Sequence, residues 1–179
     1  MRQVIPNTKN AALLLGNQSN NQLQASTYVG KGGNIPDGAG CFEDDIIVKD
    51  NFRITNVSVT LNDFAHTWVG DLVVRLRHLE TNTVIDLFRR PGQPQFSSSG
   101  YSSDLKGDYS FSNYSHRDFE AAAAEHSLIP SGSYSAVQSL STLDGLPTVG
   151  TWRLIIKDCS AGDSGSIGSW KLEFGQQLG

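Results

Sequence analysis

Short runs in which apolar and polar residues alternate constrain this chain more than any other feature of its sequence. Four runs place an apolar side chain at every second position: residues 57–61, 72–76, 152–156 and 170–174. A period of two is typical of a β-strand with one face in a hydrophobic core and the other in water. A helix would instead place its apolar residues three and four positions apart. The chain is therefore predicted to consist mainly of strands.

Turn-forming segments between these runs predict the fold class. Turn signals lie at residues 80–83, 90–94, 143–145 and 161–165, and the last three of these segments are rich in Gly, Pro or Asp. Many short alternating strands separated by such turns predict an all-β protein, a β-sandwich of the jelly-roll type. One short helix is predicted at residues 119–126, where Asp118 can cap four consecutive alanines. It lies in a long middle excursion, residues 91–147.

Length and charge exclude several classes of protein. The chain has 179 residues, which suits one domain. Its formal net charge of −4 argues against electrostatic capture of nucleic acid or of an anionic membrane. No apolar run approaches the roughly 18 residues that a membrane-spanning helix needs. The sequence therefore predicts no nucleic-acid partner and no membrane-spanning helix.

The first 30 residues differ from the rest of the chain. They are rich in Asn, Gln and Ser and have no sustained periodicity. Such a segment buries too little apolar surface to fold alone, so residues 1–30 are predicted to be a mobile polar arm and 31–179 the sandwich. An added edge strand around residues 25–29 is the alternative. Residues 11–15 are too short an apolar run for an export signal, so the protein is cytoplasmic or its native start lies elsewhere.

A segment near the C-terminus resembles a catalytic motif. Residues 162–165, Gly-Asp-Ser-Gly, are similar to the nucleophile segment of chymotrypsin-like proteases, and His66 is a candidate base. The chemistry needs a serine hydroxyl beside an imidazole that a buried carboxylate orients. Ser166 stands where those proteases have a further glycine, and the chain is short for a two-barrel protease. A serine hydrolase acting through Ser164 is the remotest hypothesis.

A second resemblance covers most of the predicted sandwich. Its motifs, in chain order, are Asn-Ile-Pro-Asp at 34–37, Ile-Thr-Asn-Val-Ser-Val-Thr-Leu at 54–61, His-Thr-Trp-Val-Gly-Asp-Leu at 66–72, Gly-Thr-Trp-Arg-Leu-Ile-Ile-Lys-Asp at 150–158, Ala-Gly-Asp-Ser-Gly at 161–165 and Gly-Ser-Trp-Lys-Leu at 168–172. This ordered set resembles the P domain (Homo B domain) of proprotein convertases and bacterial subtilisin-like proteases. It also accounts for the Gly-Asp-Ser-Gly segment, which falls within that family's Asp-x-x-x-Gly-Asp-x-Gly loop.

The resemblance implies a jelly-roll sandwich, similar to galactose-binding folds, that has no catalytic triad. In the family it usually follows a subtilisin-like catalytic domain, which it stabilises and whose response to pH and calcium it modulates. The first hypothesis is therefore a non-catalytic module that binds a protein partner such as a subtilisin-like serine protease. The family also implies a secreted or cell-surface location. A stand-alone extracellular adhesion or carbohydrate-binding sandwich is the second hypothesis.

Four aspartates are candidate calcium ligands. Asp71, Asp158 and Asp163 each lie beside glycine or a turn at a predicted strand end, and Asp37 lies in the opening loop. Calcium prefers six to eight oxygen ligands, which loop carboxylates and turn carbonyls supply. Residues 43–45, Glu-Asp-Asp, are further candidates, and Asp104 and Asp108 form a second oxygen-rich patch. The alternative is that these side chains cap turns by accepting hydrogen bonds from nearby backbone N–H groups.

Two cysteines and two aromatic residues complete the set of candidates. If the opening and closing loops meet, Cys41 and Cys159 can form a disulfide that stabilises the fold, whereas a reducing compartment would leave two free thiols. Trp68 and Tyr109 are candidates for an aromatic platform that binds a sugar or a peptide. Trp152 and Trp170 have the spacing of inward-facing strand residues and are predicted to be in the core.

Overall fold

Two β-sheets account for most of residues 24–176, the part of the chain that the computed structural model describes. The ten strands are β1 (Gln24–Ile35), β2 (Phe42–Val48), β3 (Asn56–His66), β4 (Leu72–His78), β5 (Thr83–Arg89), β6 (Asp104–Ser112), β7 (Leu128–Ile129), β8 (Gly132–Tyr134), β9 (Gly150–Asp158) and β10 (Gly165–Gln176). They are accompanied by one helix, α1 (Phe119–Glu125), and by 3₁₀ turns at Val69–Asp71 and Leu140–Leu143. No helix within residues 24–176 is long and apolar enough to cross a membrane.

The strands form a six-stranded and a four-stranded sheet. The six-stranded sheet has the order β1-β10-β3-β6-β7, and β8 also pairs with β6; the four-stranded sheet has the order β2-β9-β4-β5. All pairs are antiparallel except those that β7 and β8 make with β6, which are parallel. The inner faces of both sheets contribute to one hydrophobic core. The predicted all-β sandwich is confirmed.

The alternation in the sequence corresponds to the two faces of each strand. Val57, Val59 and Leu61 of β3 are buried, and each lies opposite a buried residue of β10 in the antiparallel register. The apolar positions of β4, β9 and β10 are buried in the same way. The intervening polar residues point away from the core. Trp152 and Trp170 are both fully buried, as predicted.

The middle excursion contains more regular structure than expected. The predicted helix is present, and the Asp118 carboxylate caps it by accepting hydrogen bonds from the N–H groups of Glu120 and Ala121, with N···O distances of 2.8 and 3.4 Å. However, β6 also lies within residues 91–147 and pairs with β3 as an integral strand of the larger sheet. Leu105, Tyr109 and Phe111 are its buried residues, all at odd positions.

The predicted boundary between arm and sandwich at residue 30 is wrong for residues 24–30. These residues form the first part of β1, which pairs with β10 along its whole length, so the alternative of an edge strand is what the structure shows. Gly30 explains the close approach: a Cβ atom there would overlap the indole ring of Trp170. Residues 1–23 of the predicted arm lie outside the described part of the chain.

Tyr28 ties β1 to the loop after β2 and gives a pH-dependent prediction. Its hydroxyl donates a hydrogen bond to Asp50 Oδ2 at 2.6 Å, and burial together with this acceptor and its charge raises the pKa of Tyr28 to about 12. Because the unfolded value is about 10, the stabilisation is complete below that pH and is lost as the pH rises towards 12. The difference in free energy of unfolding between the wild type and Tyr28→Phe should therefore shrink between about pH 8 and about pH 11.

Urea unfolding at the two pH values measures this difference in free energy. An ultraviolet absorbance titration, compared between the wild type and Tyr28→Phe, measures the pKa of the Tyr28 hydroxyl. Asp50→Asn should lower the pKa of Tyr28, because it removes the neighbouring negative charge. Tyr114→Phe is the matched control, since Tyr114 is the most exposed of the chain's large hydrophobic side chains in the described part. An Asp50→Asn variant with an unchanged tyrosine titration would contradict the assignment.

Candidate functional site

The opening and closing loops meet at one end of the sandwich, which is the condition that the calcium and disulfide hypotheses set. The Asp37 carboxylate accepts a hydrogen bond from the backbone N–H of Gly162 at 2.9 Å. Nearby, the Thr67 hydroxyl donates to Asp163 Oδ1 at 2.8 Å. We call the end of the sandwich that carries Asp37, Asp71, Asp158 and Asp163 the acidic corner. Its carboxylates hold loops together.

A buried histidine–aspartate pair lies at the centre of the acidic corner. His66 Nδ1 accepts a hydrogen bond from the Trp68 backbone N–H at 3.1 Å, so the ring carries its donor proton on Nε2. Nε2 in turn donates to Asp158 Oδ2 at 3.1 Å. The other oxygen of Asp158 accepts from the Ser160 N–H at 3.1 Å. Both side chains are shielded from water, so the pair is a fully connected internal network.

Asp71 lies beside this pair and faces a cation supplied by the protein itself. Burial raises the pKa of Asp71, and the negative charge of Asp158 acts in the same direction. A hydrogen bond from Ser160 and the positive charge of Arg90 oppose the rise. Arg90 Nη2 lies 3.6 Å from Asp71 Oδ1. The guanidinium therefore supplies a positive charge next to the Asp71 carboxylate.

The side chains of the acidic corner do not fit the predicted calcium ion. Residues 24–176 contain no group of three or more His, Cys, Asp or Glu side chains that could hold a metal. Asp37 and Asp158 accept from backbone N–H groups, which is the turn-capping alternative, and Asp71 faces Arg90. In the second patch, Asp108 likewise accepts from a backbone N–H, that of Asp63, at 2.8 Å. We derive no role for calcium from this geometry.

Thermal unfolding with excess calcium and with EGTA tests the calcium expectation directly. We expect midpoints that agree within about 1 °C, because N–H donors and Arg90 already satisfy the carboxylates. A calcium ion at about 100 times its Kd would instead add about 2.7 kcal/mol, a rise of several degrees. Such a rise, if Asp158→Asn abolished it, would establish the calcium site and contradict the assignment made here.

The geometry excludes a serine hydrolase that uses His66 and Ser164. Both residues line a groove of about 710 Å³ at this end of the larger sheet. Yet both ring nitrogens of His66 are occupied, one by the Trp68 N–H and the other by Asp158. A general base must hold a free nitrogen within hydrogen-bond reach of the hydroxyl that it activates. His66 is therefore not available as a base for Ser164.

The candidate disulfide is not formed in the structure. Cys41 and Cys159 are free thiols, the first exposed and the second half-buried. The register of β2 and β9 gives the reason. Phe42 lies opposite Ile156, so the next antiparallel position places Cys41 beside Lys157 rather than beside Cys159.

The predicted aromatic platform is wrong for Tyr109. Its side chain is 0% exposed, its hydroxyl donates to the Ile129 carbonyl at 2.8 Å, and burial raises its pKa. Trp68 is half-buried, and its Nε1 donates to the Ser99 carbonyl at 2.9 Å. The large aromatic side chains that are exposed in the described part are those of Phe96 and Tyr114. Tyr109 is in the same alternating set of β6 as the buried Leu105 and Phe111. This alternation in the sequence indicates a core position.

The outer face of the four-stranded sheet carries charged residues that sequence reasoning missed. Arg153 forms a two-pronged ion pair with Asp45, at 2.7 and 2.8 Å, and also contacts Glu43 at 3.0 Å. The hydrogen bond from Arg153 lowers the pKa of Asp45. On the next strands, Arg75 Nε donates to Asp86 Oδ1 at 2.6 Å. In the sequence, this face is indicated by the arginines that alternate with the apolar residues of β4 and β9.

Comparisons with known proteins agree with this fold. A sequence model described as the proprotein convertase P-domain matches residues 54–174. The crystal structure of the Aeromonas sobria serine protease in complex with its chaperone, ORF2, has a region of similar fold, with a TM-score of 0.51 and 14% identity over 87% of this chain. A structure of the same serine protease alone gives 0.47 and 14% over 88%. The chain spans 28% of each of these structures' chains. No curated protein matches.

Proposed function

The chain belongs to the proprotein convertase P-domain family, which consists of non-catalytic accessory domains of proteases, and we propose that it binds and stabilises a subtilisin-like serine protease. The observation that carries the proposal is the family match, which extends from two residues before β3 into β10 and so includes strands of both sheets. The occupied nitrogens of His66 support a role that depends on a binding surface and not on catalysis.

The proposal includes a location outside the cell or on its surface. The family resemblance is what supports this location. The similar Aeromonas structure is that of a serine protease, which is consistent with such a partner, although a likeness at 14% identity speaks for the fold alone. Fractionation of cells that produce the protein with its native start tests the location: the protein should appear in the medium or on the surface.

Affinity capture followed by a heat-inactivation assay tests the proposed partner. The purified chain, immobilised through its C-terminus, is exposed to the secreted proteins of its source organism, and mass spectrometry identifies what is retained. We expect enrichment of a protease with the subtilisin-type Asp, His and Ser residues. The purified protease should then lose activity at least about tenfold more slowly with saturating chain than with an equal mass of serum albumin, because a ligand of the native state opposes unfolding.

Two results would contradict the proposal. One is a retained fraction without any subtilisin-like protease. The other is a captured protease whose inactivation rate the chain does not change. A glycan array examines the second hypothesis, carbohydrate binding, and retention there together with no protease would favour that alternative. The burial of Tyr109 removes one half of the aromatic platform on which the alternative rested.

A further inference from the structure

Basic side chains are concentrated on the outer face of the four-stranded sheet. We call this surface the arginine face; it is defined by Arg75, Arg77, Arg89, Arg153 and Lys157. Its four arginines are half of the eight in the whole chain, although the chain carries a net charge of −4. They lie on the polar phase of β4, β5 and β9; in the strand register Arg77 is opposite Arg153, and Arg89 and Lys157 are both opposite Val73. The clustering is therefore a property of one surface.

The acidic residues on this face are already paired. Asp45 and Glu43 are held by Arg153, and Asp86 lies between Arg75 and Arg89. Among the described residues, Arg77 and Lys157 have no carboxylate partner. They supply the positive charge of the face that remains available to another molecule.

Arg77 carries the most specific signal. Its Nη2 donates to Asn82 Oδ1 at 2.6 Å, but its Nε is buried and has no hydrogen-bond partner within residues 24–176. A buried charged N–H group without an acceptor is costly, and native structures contain few of them. The remaining donors of Arg77 are suited to a carboxylate, because a guanidinium binds that group through two parallel hydrogen bonds.

Two exposed aliphatic side chains lie on the same face of the sheet. Val84 is opposite Arg77 in the register, and Ile47, at the end of β2, is 70% exposed. Arginine together with exposed apolar residues is typical of the centre of protein interfaces. The outer face of the other sheet differs, because hydroxyls of Thr60 and Ser58 lie 3.1 and 3.4 Å from Ser110 Oγ and satisfy one another.

We propose that the arginine face is the surface that docks onto the partner protease, at an acidic patch from which a carboxylate binds Arg77. The proposal rests on the proposed function for the identity of the partner. The carboxylate would bind the Nη donors of Arg77 that Asn82 leaves free, and Lys157 would add long-range attraction. Charge complementarity of this kind contributes to specificity and to the rate of association.

The Nε–H signals of the arginines in an NMR spectrum test, without the protease, whether the arginine face binds carboxylates. The probe is a capped hexaglutamate peptide added to the full chain at low salt, with a hexalysine peptide as its control. We expect hexaglutamate to shift the Arg77 signal more than the signals of Arg53 and Arg117, which lie elsewhere, and hexalysine to shift none. An unmoved Arg77 signal would overturn the proposal, whether or not a protease binds.

Variants of the arginine face then test whether it binds the captured protease. Arg77→Gln and Lys157→Glu should each weaken binding in calorimetry by about tenfold or more, while Lys171→Glu, on the outer face of the other sheet, should change it less than about twofold. Raising NaCl from about 50 to about 500 mM should weaken wild-type binding, since salt screens exposed charges. Thermal melts confirm that each variant is folded.

The two proposals fail in different ways. If hexaglutamate shifts Arg77 but no protease is captured, the arginine face stands and the proposed partner is wrong. If a protease binds and Arg77→Gln and Lys157→Glu bind it as tightly as the wild type, the docking surface lies elsewhere and the proposed function stands.

Discussion

Replacement of Trp152 by alanine is expected to lower the free energy of unfolding by about 3–5 kcal/mol. The side chain is completely buried near the start of β9, where its ring stacks on that of His78 with centroids 4.3 Å apart and lies 5.0 Å from the ring of Phe174. Its Nε1 also donates to the Thr148 carbonyl at 2.8 Å. Alanine would leave a large cavity and a buried carbonyl without its donor.

Urea unfolding monitored by circular dichroism measures this loss. Trp152→Phe separates the two contributions, because it keeps an aromatic ring but not the N–H group, and should cost about 1–3 kcal/mol. Val149→Ala, at a partly exposed position nearby, should stay within about 0.5 kcal/mol of the wild type. A loss below about 1.5 kcal/mol for Trp152→Ala would show that the core relaxes around the missing ring.

Replacement of Asp158 by alanine is expected to cost about 3–5 kcal/mol. The substitution leaves the Nε2–H of His66 and the N–H of Ser160 without their acceptor. The imidazole cannot turn to another acceptor without losing the hydrogen bond from Trp68. Removing one partner of a buried pair is costly because the other then remains desolvated and unpaired.

A matched control lies in the same corner of the molecule. Asp163 accepts a hydrogen bond from Thr67 at a position that water reaches, so Asp163→Ala should cost about 1 kcal/mol or less. In a double-mutant cycle, His66→Ala and Asp158→Ala should cost less together than the sum of the single variants. Additive losses would show that the two side chains act independently. The losses should be the same in EGTA and in calcium.

The strands and the helix cap were predictable because their signals are local. The side chain at every second position of a strand points to the same face, so the apolar phase of β3, β4, β9 and β10 identified the core residues directly. Asp118 caps α1 through N–H groups only two and three residues away. The same alternation in β6 indicates a core position for Tyr109, whereas the sequence prediction treats residues 91–147 as an excursion from the sandwich.

The candidate site was harder to predict, because it depends on which cations and donors meet the carboxylates. The four aspartates of the acidic corner come from three regions of the chain, and from the sequence alone the meeting of the opening and closing loops is only a condition of the calcium and disulfide hypotheses. The sequence did not indicate that Arg90 would face Asp71 or that His66 would bind Asp158. A sequence that shows the four carboxylates but not these partners favours calcium as the cation that balances their charge.

The sequence by itself determined the all-β class, the core phase of the strands and membership in the P-domain family, since periodicity and motif order are read along the chain. The tertiary structure decided which residues from distant strands lie side by side. It paired Arg77 with Val84 and Arg153 across three strands, and it closed the His66–Asp158 hydrogen bond over 92 positions of the sequence. Strand register and sheet order set such contacts, and a slip of a single residue would turn every side chain to the opposite face.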